Sequence, residues 1–309
     1  MEKAAEMPSG VWPTMITPFT ESGAIDERAL HELVAWYLER GVSGLFAVCL
    51  SSEMFTLTPA ERVKLASTIV DLAAGRVPVI ASAVGSGEIE KQAEEVRRMA
   101  DTGVDAVVLL TNRLALPDES DDAWRSNTER LLEELQDDIV LGLYECPVPY
   151  KRVLSPELLA WCAETGRFVF LKDTCCNVAL MRAKMKAAPE IHLFNANATT
   201  LLASLLDGAA GYSGVMANFH PQLYGWLCHN WAAEPEHAEQ LQAFLGIASL
   251  LELRGYPVNA KYALQLEGLP ISLYSRARSE VILEPWHQLQ IEQVQQLAHT
   301  MAQSYPWPR

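Results

Sequence analysis

An α/β fold, a (β/α)8 TIM barrel with a C-terminal helical region, is predicted by three features of this 309-residue sequence. Short apolar runs and amphipathic helical patterns alternate eight times between residues 10 and 231. That number of strand–helix units over about 220 residues is the size of one such barrel. No Gly-x-Gly-x-x-Gly follows the first apolar run, which argues against an open doubly wound sheet. Beyond residue 231 the strand signals stop, and 232–309 reads as an appended helical region that covers the barrel or supplies an oligomer interface.

Residues 1–9 read as a loose N-terminal tail. Val11 to Thr17 reads as a short strand broken by Pro13. A turn at Glu21-Ser22-Gly23 leads into a helix from Asp26, its N-cap, to Arg40, with Leu30, Leu33, Val34, Tyr37 and Leu38 on one face and Gly41 closing it. The strand Gly44 to Val48 and a loop follow, then a helix that opens Thr58-Pro59-Ala60-Glu61, a capping box with proline at the first helical position. The alternation continues with strands at 77–84, 106–111, 139–145, 168–173, 192–196 and 211–216. The matching helices lie at 88–102, 121–135, 156–165, 178–188, 199–206 and 221–230. The last region carries helical patterns at 235–253, 257–266 and 284–303.

The net charge of −15 argues against a nucleic-acid or anionic-membrane surface, but not against a small anionic substrate in a local pocket. Met1 to Gly10 has charged residues and no apolar core, so it does not read as a signal peptide. No apolar run approaches the ~20 residues of a membrane span. The six cysteines show no framework spacing. A reducing, cytoplasmic setting is the expectation.

In this fold the chemistry sits at the carboxyl ends of the strands. Those ends collect Ser51, Ser52 and Glu53, then Tyr144 and Glu145, Lys172 and Asp173, and Ser213 and Gly214. Two runs matter most: Leu141-Gly142-Leu143-Tyr144 and Phe168-Val169-Phe170-Leu171-Lys172-Asp173. Side chains alternate along a strand, so Phe168, Phe170 and Lys172 share one face and Asp173 points the other way. If the runs are neighbours, roughly 4.8 Å apart, the Tyr144 hydroxyl and the Lys172 amine meet at their ends. An amine in an apolar cradle loses solvation of its charged form and becomes nucleophilic, and a phenol beside it can shuttle protons. A lone lysine at a strand end is usually only solvent-reaching; the pairing with Tyr144 is what suggests a Schiff base with a ketone or keto acid. No histidine falls at the carboxyl end of a strand, His192 standing at the opposite end, and adjacent Cys175 and Cys176 cannot chelate as a spaced pair would, so no metal is expected.

The chain resembles the pyruvate-dependent class I aldolase family of dihydrodipicolinate synthase and N-acetylneuraminate lyase. The resemblance runs nearly end to end through the barrel. It is carried by Gly10-Val11-Trp12-Pro13 with Thr17-Pro18-Phe19, by Ser51-Ser52-Glu53 followed by Thr56-Leu57-Thr58 and Glu61, and by Tyr144-x-x-Pro147. Lys172-Asp173 and Gly208-Ala209-x-Gly211 leading to Asn218 and Pro221 complete it, and the 28-residue separation of Tyr144 and Lys172 is the family's spacing. The resemblance implies that Lys172 forms the Schiff base and that Tyr144 relays protons. It implies that Ser51 and Ser52 hold the keto acid's carboxylate; Ser213 and Glu145 are further candidate substrate-binding residues. It also implies a homotetramer with no metal or organic cofactor.

Several departures point to a divergent member rather than a true dihydrodipicolinate synthase. The family loop commonly reads Gly-Thr-Thr-Gly-Glu, whereas Cys49-Leu50-Ser51-Ser52-Glu53 puts Leu50 where a hydroxyl joins the proton relay. Thr111 to Leu116 lacks the tyrosine that synthases lend to a neighbouring subunit, and the arginine that follows the proline is missing after Pro147. Arg113, Lys151 or Arg152 are the substitute cations available nearby. The expected function is a class I lyase that cleaves a sugar-acid-like 2-keto acid to pyruvate and an aldehyde. The alternatives are a Schiff-base dehydratase or deaminase of a 2-keto acid, with Glu145 or a loop group assisting the leaving group, and a catalytically silent keto-acid binder.

Overall fold

The computed structural model describes residues 7–304. Among the described residues eight parallel strands form one sheet in the order β1-β8-β7-β6-β5-β4-β3-β2. They are β1 Gly10–Val11, β2 Leu45–Val48, β3 Val79–Ala83, β4 Ala106–Leu110, β5 Leu141–Tyr144, β6 Phe168–Asp173, β7 His192–Asn195 and β8 Gly211–Tyr212. A parallel bridge between Thr14 and Phe46, with Ser43 N donating to Val11 O at 2.8 Å, joins the β1 segment to β2 and closes the barrel.

The first and last strands are shorter than the sequence predicts. Pro13 has no N–H to offer a ladder, so β1 stops at Val11 and Thr14 pairs by itself. After Tyr212 the chain turns at Gly214 into a 3-10 turn, Val215–Asn218. The expected tail also differs: residues 1–6 lie outside the described residues, Met7 is buried in the core, and the Pro8 carbonyl accepts a hydrogen bond from Trp12 Nε1 at 3.0 Å.

The helices follow the caps that the sequence carries. In α1 (Glu27–Glu39) the Asp26 side chain accepts from Ala29 N, and in α2 (Pro59–Ala73) Thr58 and Glu61 cap each other's backbone N–H groups. Next come α3 (Ile89–Ala100), α4 (Asp121–Glu133) and α5 (Pro156–Glu164), with Ser120 and Ser155 capping the last two. The barrel ends with α6 (Val178–Ala187), α7 (Leu201–Leu206) and α8 (Pro221–Asn230). No described helix is long and apolar enough to cross a membrane.

Aromatic rings fill the barrel interior. Phe170 stacks on Phe194 with centroids 4.8 Å apart, and Trp12 lies 5.6 Å and 5.5 Å from them. Only a glycine fits at position 44, because a Cβ there would come within 2.4 Å of the Trp12 ring. Lys172 sits one strand repeat above this plug, two residues beyond Phe170 on the same face.

The C-terminal region comprises α9 (Pro235–Ala248), a 3-10 turn Ser249–Leu253, α10 (Val258–Leu266) and α11 (Pro285–Ser304). Its apolar side chains share one cluster with α7 and α8, so the core runs across residue 231 without a break. A second tie is polar and buried. The Glu53 carboxylate, just past the end of β2, accepts from Lys261 Nζ at 3.2 Å, Ser275 Oγ at 3.0 Å and Ala277 N at 2.7 Å.

Outside the sheet, Lys184 of α6 lies fully buried between Glu145 and Asp173, with Nζ 2.5 Å and 2.6 Å from their carboxylates. This ion pair network clips α6 to the ends of β5 and β6. Replacing Lys184 by Met would leave two buried carboxylates without a counter-ion. A loss of about 3–5 kcal/mol is the usual consequence of removing one partner of a buried pair. Urea unfolding measures it, and an unchanged midpoint would mean that the network does not stabilise the fold.

Candidate active site

Tyr144 and Lys172 are direct partners in the β5–β6 register, as side-chain alternation in the sequence implies. Lys172 Nζ lies 4.5 Å from the Tyr144 ring centroid and 5.8 Å from that of Phe46. Phe46 in turn packs edge-on against Tyr144 at 5.8 Å. Gly142 makes this approach possible, since a Cβ there would already touch Phe170 Cβ at 3.2 Å.

Both residues are buried, Lys172 at 4% and Tyr144 at 3% exposure. Burial lowers the Lys172 amine from its ordinary 10.5 to about 8, while nearby Cys49, Cys146 and Glu252 oppose the drop only in part. That displacement is worth roughly 3 kcal/mol against holding the charge. Burial pushes the Tyr144 phenol up, so it remains protonated at neutral pH. A nucleophilic amine and a proton-carrying phenol thus meet at one point.

They face a cavity of about 550 Å³ at the carboxyl ends of the strands. Ser51 and Leu50 form part of its wall, Glu53, Lys151, Thr174 and Asn197 add polar groups, and Glu252, Tyr256 and Arg278 come from the C-terminal region. Ser51 donates to Thr14 Oγ1 at 3.1 Å and sits beside Tyr256, whose hydroxyl accepts from Asn218 Nδ2 at 3.0 Å.

Three other sequence-predicted residues do not reach this cavity. The Ser52 hydroxyl is turned back into its own 3-10 turn, Leu50–Ser52, where it accepts from Cys49 N at 2.8 Å and donates to Cys49 O at 2.7 Å. The Glu145 carboxylate is directed outward to Lys184 and accepts from Leu154 N at 2.9 Å and Thr174 N at 3.0 Å. It holds the two loops beside the cavity, which corrects the expectation that it touches substrate or assists a leaving group. Ser213 is fully buried behind Gly214 and Val215, which line the cavity in its place.

Of the three substitute cations, only Lys151 lies at the cavity, and its ammonium donates to Thr174 O at 2.6 Å. Arg113 stacks over Phe55 at 5.1 Å, and Arg152 pairs with Asp121 at 2.8 Å. Sequence reasoning missed Glu252, Tyr256 and Arg278. They follow no strand, so a search confined to strand ends passes over them. The Gly255-Tyr256-Pro257 break between two helical patterns was the available signal that chain from this region turns over the barrel mouth.

Comparison with known proteins places the chain in a family. The model of the dihydrodipicolinate synthetase family matches residues 7–303. The 4-hydroxy-tetrahydrodipicolinate synthase of Acidithiobacillus ferrooxidans is 27% identical over 285 residues, covering 89% of this chain and 96% of its own. The synthase of the same name from a Jannaschia species is 30% identical over 215 residues, 69% of this chain and 72% of its own. The crystal structure of YagE, a prophage protein of the dihydrodipicolinic acid synthase family from E. coli K12 in complex with pyruvate, matches with a TM-score of 0.84. At 23% identity over 94% of this chain and 98% of YagE, that likeness speaks for the fold. Matched by the family model across almost all of its described length, the chain belongs to the dihydrodipicolinate synthetase family and is a lyase of the class I aldolase type.

Proposed function

We propose that the chain cleaves a hydroxylated 2-keto acid to pyruvate and an aldehyde, reversibly, through a Schiff base on Lys172. The observation that carries this is the amine itself: buried, lowered to about 8, and held over the Tyr144 ring at the mouth of a cavity. At neutral pH a usable fraction of it is uncharged, and its lone pair is free to attack a carbonyl.

In this mechanism Lys172 Nζ adds to the keto carbon, and Tyr144 gives a proton to the carbinolamine hydroxyl as it leaves as water. The resulting iminium draws electrons from the bond between the third and fourth carbons of the substrate. As that bond breaks, the Tyr144 phenolate takes the proton of the hydroxyl on the fourth carbon, and the aldehyde departs. The enamine left on Lys172 gains a proton at carbon, and water hydrolyses the iminium to release pyruvate and the free amine. Ser51 hydrogen-bonds the substrate carboxylate, with the Tyr256 hydroxyl beside it.

Borohydride reduction in the presence of pyruvate should leave an adduct on Lys172, located by peptide mass mapping. Lys172→Ala should lose both adduct and turnover while keeping its fold; an adduct on that variant would remove the mechanism. The pH profile of kcat/KM should rise through about 8 and then level, because the free amine must be unprotonated to attack. A rise that continues past pH 10 would mean that the amine is an ordinary one. Tyr144→Phe should lower the rate by roughly 10²–10⁴, the usual worth of a positioned acid/base group. An unchanged rate would assign proton transfer elsewhere.

A further inference from the structure

Two carboxylates line the cavity, and they differ in what holds them. Glu53 is fully engaged with Lys261, Ser275 and Ala277 N. Glu252, in the turn Ser249–Leu253, makes no hydrogen bond or ion pair among the described residues, and the cation that acts on it is Lys172. Burial pushes the Glu252 carboxyl up to about 6, with the Lys172 amine drawing it back. It therefore stands mostly ionised at neutral pH, partly out of water, with no dedicated counter-ion.

The cations at the same mouth do not neutralise it. Lys151 is directed to the Thr174 carbonyl, and Arg278 pairs with Glu280 at 2.9 Å with its side chain 48% exposed. The cavity, about 550 Å³, is far larger than a three-carbon keto acid requires, so the remainder of the substrate has space beneath the wall that the C-terminal region supplies.

We propose that Glu252 selects the substrate's tail: it accepts hydrogen bonds from an uncharged, hydroxylated tail and rejects one that ends in a carboxylate. This rests on the Schiff-base role of Lys172 and deepens it by naming the residue that reads the other end of the molecule. A hydroxyl donating to an ionised carboxylate makes a charge-assisted bond, stronger than a neutral one. An anionic tail would instead set like charge against like in a partly buried site, the repulsive element on which discrimination commonly rests.

The test uses trapping on Lys172, which does not depend on turnover. Pyruvate, 2-keto-3-deoxygluconate and 2-oxoadipate are titrated under borohydride, with intact and cleaved adducts summed, for the wild type, Glu252→Gln and Glu252→Lys. The two longer acids have equal carbon number and differ in a hydroxylated against a carboxylated end. The wild type should half-saturate with the hydroxylated acid at a concentration about tenfold or more below that for the dicarboxylate. The Gln variant should narrow that gap and the Lys variant reverse it, with the pyruvate value changed less than about twofold in each. Equal trapping of both acids by the wild type, or an unchanged preference in both variants, would overturn the proposal while the pyruvate adduct upholds the Schiff base. Loss of the pyruvate adduct in both variants would overturn a selective role for Glu252. Absence of the adduct in the wild type would bring down the Schiff base and this inference with it.

Discussion

A buried amine whose charged form is disfavoured is the constraint around which this barrel is arranged. Lys172 and Lys184 are both buried lysines, twelve positions apart, yet their proton affinities move in opposite directions. Around Lys172 the nearest surfaces are the rings of Phe46 and Tyr144, and burial prevails. At Lys184 burial acts the same way, but Glu145 and Asp173 outweigh it and the amine is raised. The difference depends on the pleat of one strand. Asp173 follows Lys172 directly, and because successive side chains alternate it is turned out of the barrel to α6 instead of neutralising the amine beside it. Lys184 neutralises those two carboxylates at the ends of β5 and β6, on the side away from the Lys172 amine.

The aromatic plug serves the same constraint from below. Trp12, Phe170 and Phe194 fill the interior below the amine, and the cavity that Lys172 lines lies on the side of the strands' carboxyl ends. Because the reacting groups stand on paired strands and not on loops, their separation is fixed by backbone register. The groups that meet the rest of the substrate come from turns and from the helical region, where the chain has more latitude.

The sequence made the strand-borne part legible and left the rest obscure for definite reasons. A period of two is unambiguous on a regular strand, so the meeting of Tyr144 and Lys172 follows from the two runs once they are neighbours. Thr58 with Glu61, and Ser155, likewise announce their helices because caps are local. Ser52, inside the turn Leu50–Ser52, and Glu145, one residue past β5, stand outside the regular alternation, where a hydroxyl or a carboxylate is claimed by backbone N–H groups and by a buried lysine far away in sequence. Pro13 and Gly214 shortened the end strands, a loss of ladder bonds that apolar composition alone conceals. Glu252 and Tyr256 enter the site by tertiary packing, for which no local pattern exists.

Glu53 joins these two kinds of structure. It stands two residues from Ser51 and holds Lys261 and the backbone at Ala277, so the turn that presents a hydroxyl to the cavity also fastens the roof above it. The strands that carry Tyr144 and Lys172 and the helical region that roofs the cavity are thereby joined by one bolt. Changes in the roof can retune what enters the cavity while the strands keep the amine as it is, provided that the bolt survives.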